Sequence, residues 1–327
     1  MSKVICFGSV GKDIFLPTNE GKIIETPEEL DSQKKLAFEL GSKVKIDQRF
    51  EALGGCAANV ASGIKKLGID ADCVSNIGDD LIGQWTIEQL KKNGVGVEAI
   101  KIEADGKSDL SAIVVDKDSA DRVIFTNKTS SGELNLASPI AEEADWFFIT
   151  DVHGDWKKQI AAIISLAKEK NKKIGFNPRE AHIKENPTEV VKVISNCEVI
   201  FVNKDEAIEI ISSTGNFYSD EINNEEFLLK KLAELGAKVV ALTDGKRGAW
   251  VLADGKTISS GEVEAAGKAL DSTGAGDGFA SGFISAYIKG KEIAECLKWG
   301  IAQSTNVVCY YGAIDGLLTE EEILGRI

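Results

Sequence analysis

The sequence predicts an α/β fold in which a mostly parallel sheet is covered by helices on both faces. Three observations carry that expectation. Short runs rich in β-branched and aromatic residues recur along the chain. Longer stretches between them place apolar residues at three- and four-residue spacing, as in Ile160, Ile163, Ile164 and Ala167. Two regions, 14–53 and 98–126, break this rhythm with strand-like alternation, which suits a separate sheet with one wet face.

In order, the strand candidates are Val4–Phe7, Asp72–Ser75, Trp146–Ile149, Lys173–Phe176, Val199–Val202 and Val239–Leu242. The helix candidates are Ala57–Leu67, Gly83–Asn93, Lys157–Lys170, Lys204–Ser212 and Glu225–Leu235. Strand and helix in alternation give right-handed crossovers and leave ligand sites outside the carboxyl ends of the strands. The large domain is expected to comprise 1–13, 54–97 and 127–327. Segments 14–53 and 98–126, with pieces such as Lys43–Phe50 and Ser111–Val115, leave and rejoin it near candidate site residues, which points to a small β lid over a cleft.

The chain of 327 residues carries a net charge of −14, which disfavours nucleic acid, since that partner needs clustered Lys and Arg. A polyanion such as ATP stays open, because amides, one or two lysines and Mg²⁺ reverse the field locally. The N-terminal apolar run is too short for a signal peptide, and no run reaches membrane-spanning length. Six cysteines show no CxxC pairing, and Cys6, Cys73, Cys197 and Cys309 sit among apolar neighbours, so buried reduced thiols are expected. Two histidines, His153 and His182, lack zinc-site spacing. The expected location is cytoplasmic.

Two motifs carry chemistry. Asp271-Ser-Thr-Gly-Ala-Gly-Asp277 precedes a helical pattern, Gly278–Tyr287, with small residues on one face. A Gly-Ala-Gly run opening a helix leaves unpaired, unobstructed N–H groups at its positive end, an anion site suited to a terminal phosphate. A carboxylate beside it, Asp277, is placed to take the proton of an attacking hydroxyl. Further back, Gly54-Gly55 allows close backbone approach at a strand-to-helix turn, and Asn59 lies about one turn into that helix, facing the same cleft.

Together these motifs resemble the two signatures of the ribokinase-like (PfkB) family of carbohydrate and nucleoside kinases: Gly54–Gly68 with Asn76–Gly83, and Asp271–Asp277. The resemblance runs across nearly the whole chain. It implies a three-layer α/β/α fold with a β-sheet lid, and transfer of the γ-phosphoryl group of ATP to a hydroxyl. In that scheme Asp277 is the general base, and the amides of Gly274, Ala275 and Gly276 stabilise the transferring group. Asp13, Gly54, Gly55, Asn59 and Asp151 contact the acceptor. Asn177, Asn203, Thr243, Gly245 and Gly248 lie along the nucleotide, and the helix Glu292–Tyr310 offers a wall for adenine. Glu206 holds hydrated Mg²⁺, with a helix-capping role as its plain alternative. Asp271 and Thr273 match positions that bind an activating K⁺ in some relatives.

The acceptor is left open between a small sugar and a nucleoside. Ribokinases usually carry Lys where this chain has Cys56 and tend to carry Asn where it has Gly11, so free ribose loses two polar contacts. The longer insert before Gly54 suits a bulkier acceptor, with Phe15, Phe38 or Phe50 against a base or forming the lid's own core. A catalytically silent metabolite-binding protein is the alternative of a different class. A nicotinamide oxidoreductase lacks its glycine fingerprint here. An apolar outer face of the lid would make the protein a homodimer.

Overall fold

The computed structural model describes residues 2–26, 34–46, 48–129, 132–137 and 139–327. The first half holds β1 (Lys3–Phe7), β2 (Gly11–Thr18), β3 (Lys22–Glu25), β4 (Lys34–Ala37), β5 (Phe50–Gly54), α1 (Cys56–Lys66), β6 (Asp70–Val74), β7 (Asn76–Gly78), α2 (Leu81–Lys92), β8 (Lys101–Glu103), β9 (Asp109–Asp116) and β10 (Arg122–Asn127). Then come α3 (Ile140–Glu143), β11 (Trp146–Ile149), α4 (Trp156–Glu169), β12 (Lys173–Phe176), α5 (Glu180–Glu185), α6 (Pro187–Ile194), β13 (Val199–Asn203) and α7 (Lys204–Ser212). The chain ends in α8 (Ser219–Ile222), α9 (Glu225–Glu234), β14 (Val239–Thr243), β15 (Ala249–Ala253), β16 (Lys256–Ser259), α10 (Ala275–Ile288), α11 (Ile293–Val307) and α12 (Glu320–Leu324).

The main sheet has the order β16-β15-β14-β13-β12-β11-β1-β6, parallel from β14 to β6 and antiparallel at β15 and β16. Its strands are apolar on both faces, and the two-residue period explains why. In β1, Val4 and Cys6 enter a core shared with α1, α10 and α11, while Ile5 and Phe7 enter the opposite core against α4, α6, α7 and α9. Both layers of helix are therefore required to bury one sheet. All six predicted main-sheet strands are present. Cys6, Cys73 and Cys197 are buried as expected, whereas Cys309 is only half-buried. Among the described residues no helix is long and apolar enough to cross a membrane.

The second sheet has the order β10-β9-β2-β5. It begins at Gly11 rather than 14 and takes in Gly54, so Asp13 and Gly54 stand inside it. Lys101–Glu103 instead pairs with Asn76–Gly78 beside the main body, because a parallel partner is already in place there. Of Lys43–Phe50, only Phe50 is in a strand, and the remaining described residues of that segment have the alternation without a ladder partner. Residues 27–33 and 47 of the first predicted lid segment lie outside the described residues. Phe15, Ala52, Ile113 and Val115 form a small core of this sheet, with Phe50 and Tyr311 packed on it. Phe15 is thus a core residue, and Phe38 is partly exposed at 36%.

Candidate active site

Helix α10 opens at Gly274, whose φ of 77° is one that a side chain disfavours. A methyl group there would also lie 2.1 Å from Ala313 Cβ. Gly278 N–H donates to Gly274 O at 2.7 Å, so the amides before it belong to the first turn, where a helix offers no acceptor. A methyl on Gly276 would meet nothing within 4 Å, so the approach to this turn is open. Asp277 sits in that turn and is buried. Asn59 Nδ2 donates to its Oδ2 at 2.8 Å, and Arg179 Nη2 donates to its Oδ1 at 2.5 Å. Asn59 Oδ1 is buried without a hydrogen-bond partner. The α1 helix that presents Asn59 starts at Gly55, φ 91°, where a methyl would lie 2.5 Å from Ser9 O. The structure therefore brings Gly274, Ala275, Gly276, Asp277, Gly55 and Asn59 together.

Beside them, β2 supplies Asp13. A methyl on Gly54 would lie 2.2 Å from Asp13 Oδ2, so glycine is what lets this carboxyl lie across the neighbouring strand. Burial pushes the Asp13 carboxyl up to about 6, against the hydrogen bond from Ser111 and the charge of Lys128. Gly11 is fixed for a similar reason, since a methyl there would lie 2.6 Å from Asp109 O. Asp151, past the end of β11, accepts from Ser9 N–H at 3.0 Å and from the Ser9 hydroxyl. Burial opposes its charge, but Lys128, Arg179 and His153 outweigh that and hold the carboxyl well below its ordinary range. Burial pushes the Cys56 thiol well up, so it enters this site as a neutral group.

On the other side, Asn203 and Glu206 form a reciprocal capping box at α7, with Glu206 N–H donating to Asn203 Oδ1 at 2.8 Å and Asn203 N–H to Glu206 Oε2 at 2.9 Å. Burial raises the Glu206 carboxyl to about 7 despite that bond and the nearby Arg179 charge. Asn177 Nδ2 donates to Phe201 O at 2.9 Å, tying the end of β12 to β13. Thr243 ends β14, and Gly245 and Gly248 make the turn into β15 with φ of 48° and 96°. Gly248 packs on the backbone of Gly261, in the loop that follows β16. That loop borders an open cavity of about 530 Å³ whose other wall is α11, through Leu297, Ile301, Ala302 and Thr305. It then runs along α11, Ala266 N–H to Thr305 O and Leu270 N–H to Val308 O, and delivers Asp271 and Gly274. One continuous segment thus joins an apolar cavity to the open first turn of α10.

Asp271 is 1% exposed. Its Oδ1 accepts from Thr273 N–H at 3.1 Å and Thr273 Oγ1 at 2.9 Å, and its Oδ2 has no hydrogen-bond partner. Burial raises its carboxyl. Arg122, from the outer strand β10, places Nε 3.6 Å from that Oδ1 and donates through Nη1 to Ser272 Oγ.

Sequence reading missed Arg122, Lys128, His153, Asp109 and Arg179. A signal was present for two of them. His153 follows β11 and Arg179 follows β12, adjacent parallel strands whose carboxyl ends are where such sheets place ligands. For Asp109, Lys128 and Arg122 the position depends on how the second sheet sits, which no local pattern encodes.

The chain is 28% identical over 291 residues to an ATP-dependent 6-phosphofructokinase of Thermoanaerobacterium thermosaccharolyticum, covering 85% of this chain and 86% of that protein. It is 26% identical over 291 residues to a nucleoside kinase of Methanocaldococcus jannaschii, covering 88% and 90%. In fold it matches the ribokinase of Cryptococcus neoformans in complex with ADP, with a TM-score of 0.79 at 20% identity over the full length of both chains. Residues 31–320, the span that holds both glycine motifs and every strand of the main sheet but β1, match the pfkB family of carbohydrate kinases, and to that family this chain belongs.

Proposed function

We propose that the protein transfers the γ-phosphoryl group of ATP to a hydroxyl of a small sugar or nucleoside, with Asp277 as general base. One observation carries this reading: the Asp277 carboxylate stands in the open first turn of α10, held at one oxygen by Asn59 and at the other by Arg179. Each carboxylate oxygen has a second lone pair, so the acceptor hydroxyl joins a base already fixed in orientation. As the hydroxyl attacks, its proton passes to Asp277, and the first-turn amides of Ala275 and Gly276 face the charge on the phosphoryl oxygens. The adenine lies in the cavity beside α11, with Thr243, Gly245 and Gly248 along the sugar and phosphates. Asp13, Gly54, Gly55, Asn59 and Asp151 border the acceptor, and the second sheet acts as the lid.

Mg²⁺, when bound, neutralises nucleotide phosphate charge. Glu206 is the residue that would hold it through water, and a single buried carboxylate fits an ion that keeps its waters and takes its remaining ligands from substrate. The partnerless Asp271 Oδ2 fits a monovalent cation, with Thr273 beside it. Six free cysteines support a reducing, cytoplasmic setting. Exposed Val123, Ile124 and Phe125 on β10 support a homodimer through the second sheet.

The test is ATP consumption over pentoses, hexoses, sugar phosphates and nucleosides, with the Asp277→Asn variant alongside. Loss of the base is expected to lower kcat about 10²–10⁴-fold while acceptor binding, read by calorimetry, persists. Full activity in that variant would refute the assignment of Asp277.

A further inference from the structure

Helix α5 and the Arg179 that caps it hold the loop after β11 at two points. Arg179 Nε donates to Thr150 Oγ1 at 3.2 Å, while its Nη2 donates to Asp277 Oδ1. His182 N–H bonds Arg179 O at 2.8 Å, so the two residues share one turn. The His182 ring is buried, and its Nε2 lies 2.9 Å from Val152 O. A carbonyl only accepts, so that nitrogen carries the proton, and the other, Nδ1, is buried without a hydrogen-bond partner. The ring stacks on Trp156 with centroids 4.6 Å apart, and Trp156 Nε1 donates to Glu185 Oε2 at 2.8 Å.

Val152 stands between Asp151 and His153, whose side chains face one another, His153 Nε2 3.9 Å from Asp151 Oδ2. The loop has little hydrogen bonding of its own. Val152 N–H bonds Thr150 O at 2.9 Å and Trp156 N–H bonds Gly154 O at 2.8 Å, both three-residue turns. Its carbonyls are held from behind instead, Val152 O by His182 and His153 O by Gln159 Nε2 of α4 at 2.8 Å. Gln159 is itself buried, and its Oε1 accepts from Leu134 N–H at 2.9 Å, which fixes the amide at both ends.

We propose that His182 is a positioning residue that sets Asp151 and His153 at a fixed place relative to Asp277, with Gln159 as the second anchor of the loop. The inference deepens the reading above, in which Asp151 and Asp277 both meet the acceptor. One turn of chain connects the two carboxylates: Arg179 ties it to the helix that carries Asp277, and His182 ties it to the loop. An acceptor that touches both at once is sensitive to their separation, so a displaced loop weakens acceptor binding and leaves nucleotide binding alone. The anchor does not switch with pH. Burial lowers the affinity of His182 for a proton, with His153 and Arg179 acting in the same sense against the Val152 bond and Asp151, and a proton on Nδ1 would find no acceptor.

The chain has two histidines, so one reports on the other. Burial and Lys128 hold the proton affinity of His153 down, against Asp151 and Asp109, and that balance depends on where the loop lies. The experiment titrates His153 by proton NMR in the wild type, His182→Phe, His182→Gln and Gln159→Leu, with steady-state kinetics on each. Phe keeps a ring on Trp156 and removes the donor, whereas Gln returns a donor near the Nε2 position. In His182→Phe, the remaining histidine is expected to titrate higher, toward its ordinary value, as water enters the loosened loop. Acceptor KM is expected to rise about ten-fold with nucleotide KM unmoved. Gln159→Leu should move both readings in the same direction, and His182→Gln should bring both most of the way back. An unmoved His153 titration in His182→Phe overturns the proposal whatever the melting temperature, as does a shift that His182→Gln fails to reverse. If His182→Phe does not fold, an unmoved titration in Gln159→Leu overturns it equally. A shifted titration with acceptor KM unmoved upholds the anchor and refutes contact of Asp151 with the acceptor. A wild type that phosphorylates no sugar or nucleoside refutes the kinase reading, and the titration still decides the anchor.

Discussion

Arg179 binds Asp277 Oδ1 through Nη2 at 2.5 Å and Thr150 Oγ1 through Nε at 3.2 Å. The guanidinium is thereby fixed between the strand ends and the helix that carries Asp277. Arg179→Met is expected to lower kcat by about 10²–10³, the scale of losing a preorganised donor at a charge-developing centre. Arg179→Lys keeps the charge but loses the fork, and steady-state kinetics should place it between the two.

Gly54→Ala brings a methyl to 2.2 Å from the Asp13 carboxyl, which must then leave the site. Acceptor KM is expected to rise about ten-fold with nucleotide KM little changed. The two positions act on one contact, so the Gly54→Ala, Asp13→Ala double variant should lose less than the sum of the singles, which a double-mutant cycle measures.

Arg122→Met takes the guanidinium from a carboxylate that is 1% exposed. A buried charge left without its partner is costly, and the Asp271–Gly274 loop should lose its set. A kcat decrease of about ten-fold is expected, with K⁺, against tetramethylammonium, restoring more activity in the variant than it adds to the wild type. Equal K⁺ responses would sink this coupling.

Asp13 and Glu206 titrate at about 6 and about 7 in the fold, above their ordinary 3.8 and 4.5. Between those values the native state holds more protons than the unfolded chain, so stability falls as pH rises from about 4 to about 7. Each group contributes at most roughly 3 kcal/mol, since one pKa unit is about 1.4 kcal/mol. Asp151, with its carboxyl lowered, acts in the opposite sense and only toward the acid end of this window and below, where the unfolded chain's Asp takes up its proton. Thermal melts of the ligand-free protein should therefore show a higher melting temperature near pH 5 than near pH 8, and Asp13→Asn with Glu206→Gln should flatten the slope.

The layered sheet was legible because its strands and helices differ in period, and β1 shows the two-residue alternation directly in its division between two cores. The placement of Asp277 in the first turn of a helix was legible because glycines stand at fixed offsets just before it. Arg179 was not, although it stands two residues past Asn177, because a single arginine after a strand has no spacing signature. The second sheet was legible in outline only. Alternation suggested a strand over Lys43–Phe50, but a strand exists only where a partner receives its hydrogen bonds, and only Phe50 finds one. Asp109 and Lys128 were not legible either, because they meet only once β9 and β10 pair.

The second sheet carries Asp13, Gly54 and Asp109, and Gly11 pairs with both Gly54 and Asp109 across its two neighbours. A chimera with a relative must consequently exchange β2, β5 and β9 as one cassette. Grafting any single strand would set a new side chain against an old backbone at Gly11 or Gly54. On the proposed reading, substrate preference is inherited as a block of three strands, separable from the helix end that carries Asp277.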